Sequence, residues 1–492
     1  MIWYYYVCLY SWIDSFVERQ PGVSMYLQRR VPSFCCGRKT VHFVAFFALR
    51  SVTSAYSLCC RHCISGPVAL LYVVTFVLVL PILFRHVRHS LFYSQPNDTV
   101  LLAAARKANS DRIVQAEMYF SSLNGSVRAQ EERTNTSPDG TLTVALIVVT
   151  VSRDRHRIDN YEPKYLTQTV WKFHSLLNRW RPKNRFLRIQ MSICNVDDDV
   201  ASYGEANALS KHVPMFSRFT RRHVSTVHAL EKEKNDYVFC LSKSLEIHKD
   251  AGYLFVVEDD ALPTDDLFDV LQRVLEMHTE RLYVRGEYRS RSSNVAFVKF
   301  FHPDRLLNFI SFQPERLPEL VAYAALLSTL LLAAVSAVAC MFSPTNSSKS
   351  VNVLWKKLFL FSLVVTLACG RTGMSAWRRL ALPRLYSYTP APSCCTQALL
   401  FPRSSALLTV NYLNSNTCTD DFGKDSVLDN MLKDLQMTAY LVQPNTFTHI
   451  GIYSSLRNHI VNPLLMWRHV INEFFVRYRY CFTWQITDRY CT

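Results

Sequence analysis

Apolar positions fall into two kinds of run along this chain. The short runs, Thr141–Val151 (TLTVALIVVTV), Leu187–Cys194, Tyr253–Glu258 and Val295–Phe301, are rich in β-branched and aromatic residues and are close to continuous. That pattern predicts strands buried on both faces. Between them, Tyr165–Trp180, Thr226–Lys249 and Asp265–Glu280 carry apolar residues at helical spacing. Strands and helices therefore alternate, which predicts an α/β domain with a mostly parallel sheet covered by helices. The long runs are Pro67–Phe84, Leu320–Phe342 and Leu358–Gly370, none of which holds a charge. The first two reach the length of a membrane-crossing helix. The third reaches it only if Val351–Trp355 joins it and Lys356 and Lys357 snorkel.

With the polar loop Ser343–Val351 between them, the last two long runs form a hairpin that interrupts the α/β pattern. The expected order is a cytosolic extension (1–66), a transmembrane signal anchor (67–84) and a luminal stalk (85–140) that is helical around Leu101–Leu123. The α/β domain follows in two parts, 141–316 and 371–465, around the hairpin 317–370, with a C-terminal extension at 466–492. Met1–Ile13 lacks the basic start and small-residue cleavage site of a signal peptide. Basic residues before the first run, Arg29, Arg30, Arg38, Lys39, Arg50 and Arg61, hold the N-terminus in the cytosol and send the rest to a secretory lumen. The acceptor sites Asn97, Asn124 and Asn135 then become glycosylated, and Asn346 at the hairpin tip does not. Arg371, Arg378, Arg379 and Arg384 follow the hairpin on the luminal side, against the usual charge bias.

A hydrophobic share of 49% rules out a disordered chain, and a net charge of +16 points to anionic partners, lipid headgroups or phosphorylated substrates. Nucleic acid is not expected, because the charge is spread along the chain and no reader motif is present. Of the 15 cysteines, Cys59, Cys60 and Cys63 form a CCxxC cluster that suits palmitoylation better than zinc, since a second ligand pair is missing. Cys194 and Cys240 are disulfide candidates in an oxidising lumen. Cys394 and Cys395 either form a vicinal bridge or stay free.

Chemistry gathers in YLFVVEDDALP, Tyr253–Pro263, where Glu258, Asp259 and Asp260 follow a buried strand. Ligands of open α/β sheets collect beyond the strands' carboxyl ends, so the three carboxylates are expected on a surface site facing a substrate. Their repulsion would be relieved by a divalent cation that also meets a nucleotide sugar's phosphates. The plain alternative is an acidic helix start capped by Thr264. In DFGKD, Asp421–Asp425, Lys424 is suited to a phosphate and Asp425 to an acceptor hydroxyl, against a glycine turn with a solvated ion pair. In THIGIYSSLR, Thr448–Arg457, His449 is a ligand candidate or a packing histidine.

Taken in order around a hairpin, LEKEKNDYVFCL, VVEDDALP, KFFHPDRL, LYSYTPAPSCCTQALLFP, FGKD and HIGIYSSLR resemble the Golgi GPI-glycan N-acetylgalactosamine transferase family, over roughly residues 68–465. The resemblance implies a GT-A-like glycosyltransferase domain split by a transmembrane hairpin, in the Golgi lumen and multiply anchored. It implies UDP-GalNAc as donor and GPI-anchored proteins as acceptors, with GalNAc added to the first core mannose with inversion. Donor contacts fall on Thr150, Val151, Ser152, Arg153, Glu258, Asp259, Asp260, Thr396, Gln397 and Lys424. Asp425 is the expected base, with Asp260 also catalytic. Glu258, Asp259, Asp260 and His449 would hold Mn²⁺, and the family disulfide maps onto Cys194 and Cys240, with the paired cysteines on Cys394 and Cys395. Two departures stand out. Ser152 replaces the aspartate typical at that position, with Asp154 nearby, and a second cysteine pair is missing around Arg179–Lys183. Residues 1–60 and 466–492 have no counterpart and read as gene-model extensions, with Met25 as an alternative start. The competing expectation is an inactive scaffold or glycan-binding protein on the same fold.

Overall fold

The computed structural model describes residues 66–85, 98–123, 142–153, 161, 163–180, 187–223, 227–284, 294–303, 306–307, 309, 316–342, 348–375, 386–419, 422–454 and 459–460. Asn97, Asn124, Asn135, Asn346, Asp154, Met25, the CCxxC cluster and both terminal extensions lie outside the described residues. The chain divides into two compact units, Met1–Ser94 with Asp304–Ser375, and Gln95–Pro303 with Ala376–Thr492.

The first unit is helical. Leu317–Ala337 and Val351–Arg371 are long and apolar enough to cross a membrane, and Ala69–Phe84 is a shorter apolar helix. Val351–Trp355 does join the last helix, which runs Ser348–Ser375 with a kink at Gly370. Small and apolar residues of these helices, Leu80, Phe361, Val365 and Ala368, pack together. Leu70, Val77, Ile82, Leu326 and Leu330 stay exposed and give these helices an apolar outer surface. Arg371 is buried and bonded through Nε to Glu319 Oε2 at 2.7 Å, so its charge is balanced within the unit.

The second unit contains strands β1 (Leu142–Thr150), β2 (Leu187–Asn195), β3 (Met215–Ser217), β4 (Tyr253–Glu258), β5 (Ala261–Pro263), β6 (Val295–Lys299), β7 (Ser387–Pro390), β8 (Ala398–Pro402), β9 (Thr438–Gln443) and β10 (Phe447–His449). Its longer helices are α1 (Asp98–Leu123), α2 (Tyr165–Arg179), α3 (Ala229–Ile247), α4 (Leu267–Val284), α5 (Arg403–Asn414) and α6 (Lys424–Asp434). Eight strands form one sheet in the order β3-β2-β1-β4-β8-β6-β9-β7. The sheet is parallel from β3 to β4 and between β6 and β9, while β8 runs antiparallel to β4 and β6, and β7 antiparallel to β9.

Strand alternation sorts the core onto two faces. Val144, Leu146 and Val148 of β1, Phe255 and Val257 of β4, and Leu400 of β8 pack with Leu166, Val170 and Phe173 of α2 and with Phe268 and Leu271 of α4. The intervening Ala145, Ile147, Leu254, Val256, Leu399 and Phe401 pack with Tyr237 and Leu241 of α3, Val410 of α5 and Leu428 of α6. Both faces are covered, which is why these strands carry continuous apolar runs. The helix read as part of a stalk instead joins this unit: Ala116 and Phe120 of α1 are buried, and Arg112 Nε donates to Gln168 Oε1 of α2 at 2.6 Å.

Candidate functional site at the carboxyl ends of β1 and β4

The parallel register of β1 and β4 pairs Val149 with Glu258. Residues just past both strands therefore meet at one sheet edge. Asp259 N–H donates to Val149 O at 3.1 Å, and Thr150 Oγ1 donates to Asp259 Oδ2 at 2.7 Å. The second Asp259 oxygen accepts from Arg153 Nη2 at 2.6 Å, and the same nitrogen reaches Asp260 Oδ2 at 3.2 Å. His449, at the end of β10, places Nε2 3.4 Å from Asp260 Oδ2. Ile450 N–H donates to Asp260 O at 2.8 Å. Gly451 closes over this group so tightly that a Cβ there would collide with Asp260 Oδ2.

Asp259 and Asp260 are therefore not on the open surface expected from the sequence: they are 3% and 7% exposed. Burial opposes ionisation of Asp260, but His449 and Arg153 hold its carboxyl below the usual range. Asp260 in turn raises His449 against the effect of burial. Arg153 stacks over the Tyr165 ring at 4.6 Å, and the Tyr165 hydroxyl accepts from Ile452 N–H and Tyr453 N–H at 2.7 and 3.2 Å.

Glu258 faces other partners. Its N–H donates to Gln397 O at 2.8 Å, and its Oε1 accepts from Thr396 Oγ1 at 3.1 Å. Lys424 Nζ lies 3.5 Å from Glu258 Oε1 and 2.9 Å from Glu233 Oε1, and 4.5 Å over the Tyr237 ring. Burial pushes the Glu258 carboxyl up to about 7, with Lys424 pulling the other way. The adjacent Asp425 sits in the first turn of α6 and accepts from Cys395 N–H at 2.8 Å. Cys394 and Cys395 form a vicinal disulfide in the left-handed region, φ 79° and 72°, and a second disulfide joins Cys194 to Cys240.

Two residues here were not picked out from the sequence. Lys299 ends β6 and donates from Nζ to Pro392 O at 2.9 Å and Cys394 O at 2.6 Å, holding the loop that carries Cys395 and Thr396. Its signal was a lysine closing an apolar strand. Asp197, just past β2, accepts from Ser152 N–H at 2.9 Å. The same rule that singled out Glu258–Asp260 points to Asp197, which opens the run Asp197–Asp199. Ser152 thus keeps a carboxylate beside it, supplied by β2. Val151 packs beside the α3 face of the sheet. Gln397 contributes its backbone carbonyl, while its Oε1 is buried without a hydrogen-bond partner among the described residues.

A family model described as GPI-N-acetylgalactosamine transferase PGAP4 matches residues 144–448. The chain belongs to this family. The match begins within β1 and ends within β10, one residue short of His449. The resemblance read from the motifs is the family the match identifies, a family of transferases acting on GPI.

The expected Mn²⁺ ligands can be tested against this geometry. Among the described residues no three His, Cys, Asp or Glu side chains are grouped to hold a metal ion. The reason is local. Both Asp259 oxygens are engaged by Thr150 and Arg153, Asp260 Oδ2 by Arg153 and His449, and Glu258 Oε1 by Thr396 and Lys424. Of the four oxygens of Asp259 and Asp260, Asp260 Oδ1 is buried without a hydrogen-bond partner among the described residues. With three of the four aspartate oxygens and Glu258 Oε1 already engaged, these side chains as folded do not fit the several-oxygen shell of Mn²⁺.

Proposed function

We propose that this protein is a Golgi membrane enzyme that transfers GalNAc from UDP-GalNAc to the first core mannose of GPI anchors on proteins, with inversion, on a GT-A-like domain facing the lumen. The observation that carries this reading is the meeting of Lys424–Asp425 with Glu258–Asp260 at one strand-end edge, in a chain of the GPI-N-acetylgalactosamine transferase family. The carboxyl edge of a sheet is where α/β folds bind nucleotides. In the reaction, the mannose hydroxyl oxygen bonds to the anomeric carbon as the bond from that carbon to the diphosphate oxygen breaks. The proton passes to Asp425, and the electron pair leaves with UDP. Cys395 N–H fixes one Asp425 oxygen, so the other is the one that takes the proton. Arg153 and Lys424 place positive charge where the diphosphate becomes free.

The test is transfer of labelled GalNAc from UDP-GalNAc to a GPI-anchored acceptor by the purified full-length protein. Asp425→Asn should lower the rate about 10²–10⁴-fold, the usual worth of a positioned base, with its unfolding temperature retained. A β linkage in the product establishes inversion. No transfer by the wild-type protein would favour the inactive scaffold instead.

A further inference from the structure

An acidic strand end that binds a nucleotide sugar predicts a metal ion, yet here the aspartate oxygens are occupied by a fixed cation. Arg153 reaches both Asp259 and Asp260 through Nη2 alone. Its side chain is 10% exposed, and its Nε and Nη1 are buried without a hydrogen-bond partner among the described residues. Buried guanidinium donors left unpaired are costly, and two on one side chain call for an acceptor. The Tyr165 ring fixes the guanidinium plane from one side, and Tyr165 is itself held by the backbone at Ile452 and Tyr453.

We propose that Arg153 stands where a divalent cation would otherwise sit: it joins Asp259 and Asp260 through Nη2 and offers Nε and Nη1 to the donor's diphosphate, which is bound without a metal ion. The proposal rests on the nucleotide-sugar reading above. The chemistry suits the residue, because a planar guanidinium meets two phosphate oxygens at once and keeps its charge at any working pH. The carboxylates then act as the counter-charge that orients the arginine. They do not touch the donor themselves.

UDP is the probe. Its binding to the full-length protein in detergent is measured by calorimetry, first in EDTA and then with Mn²⁺. The wild type should bind UDP in EDTA, with a Kd within about twofold of that in Mn²⁺, a difference under half a kcal/mol. Arg153→Met, which keeps apolar contact with Tyr165, should weaken UDP about 10–100-fold in EDTA, the usual worth of charge-assisted hydrogen bonds. Arg153→Lys should fall between them. Wild-type binding that vanishes in EDTA and returns with Mn²⁺ would overturn the proposal, and this comparison holds even if Arg153→Met fails to fold. UDP binding in neither buffer would instead overturn the nucleotide-sugar reading, and this proposal with it.

Discussion

Glu258 and the pair Asp259–Asp260 are consecutive in sequence and are served by different parts of the fold. The pair is sealed by residues that follow β1 and β10, namely Arg153, His449 and the backbone at Ile450 and Gly451. Glu258 turns toward the loop before β8 and the start of α6, where Thr396 and Lys424 meet it. Asp260 is held ionised by its neighbours, whereas burial raises Glu258. One acidic run thus does two jobs. The pair anchors the Arg153 cation, and Glu258 joins the loop before β8 to Lys424 at the start of α6.

The strongest way to break this contrast is Asp259→Ala. It leaves the buried Arg153 without its shortest partner, and loss of one member of a buried ion pair costs about 3–5 kcal/mol. A drop in the unfolding temperature together with lost transfer is expected; unchanged stability would mean that the pair is not sealed as described. Next comes Gly451→Ala, whose Cβ strikes Asp260 Oδ2. Crowding of this kind costs about 1–3 kcal/mol. The loss should appear in the KM for UDP-GalNAc, while a double-mutant cycle with Lys424→Met should be additive, since Lys424 serves Glu258 on the other side.

A finer probe of the Glu258 side is Lys299. Burial lowers its ammonium to about 8, against the pull of Asp425. A lysine whose folded-state value lies below its ordinary 10.5 releases its proton in the folded protein first. Stability should therefore rise with pH between about 8 and 10.5, as the unfolded chain binds the extra proton. Lys299→Met should remove that slope in denaturant titrations across the window. The smallest effect is expected from Lys172→Ala. Its partner Asp265 is largely exposed, and such pairs are worth about 0–1 kcal/mol, so neither stability nor transfer should move measurably.

The alternation of strands and helices was legible because β1 and β4 are covered on both faces and so announce themselves as apolar runs. Glu258, Asp259, Asp260, Lys424 and Asp425 were legible as candidates because charges at a strand end or in a glycine turn have few packing reasons to be there. What the sequence hid is how the cations divide among the carboxylates. Arg153 and His449 are far from Asp260 along the chain, and their convergence depends on β1 pairing with β4 and on β10 pairing with β5. The burial of the aspartates escaped for the same reason, since it comes from the segment Ile450–Gly451 folding back over them.

The position of β8 has a consequence for biosynthesis. β8 lies between β4 and β6, yet it emerges from the ribosome after both of them and after the two long apolar helices. At ordinary synthesis rates the gap between β6 and β8 lasts on the order of 10 s. Throughout that interval the nascent chain has β4 and β6 with unpaired edges, which are templates for wrong pairing. A chaperone that shields strand edges would thus govern the yield of folded protein. A transcript ending before Ala398 would encode a sheet that cannot close.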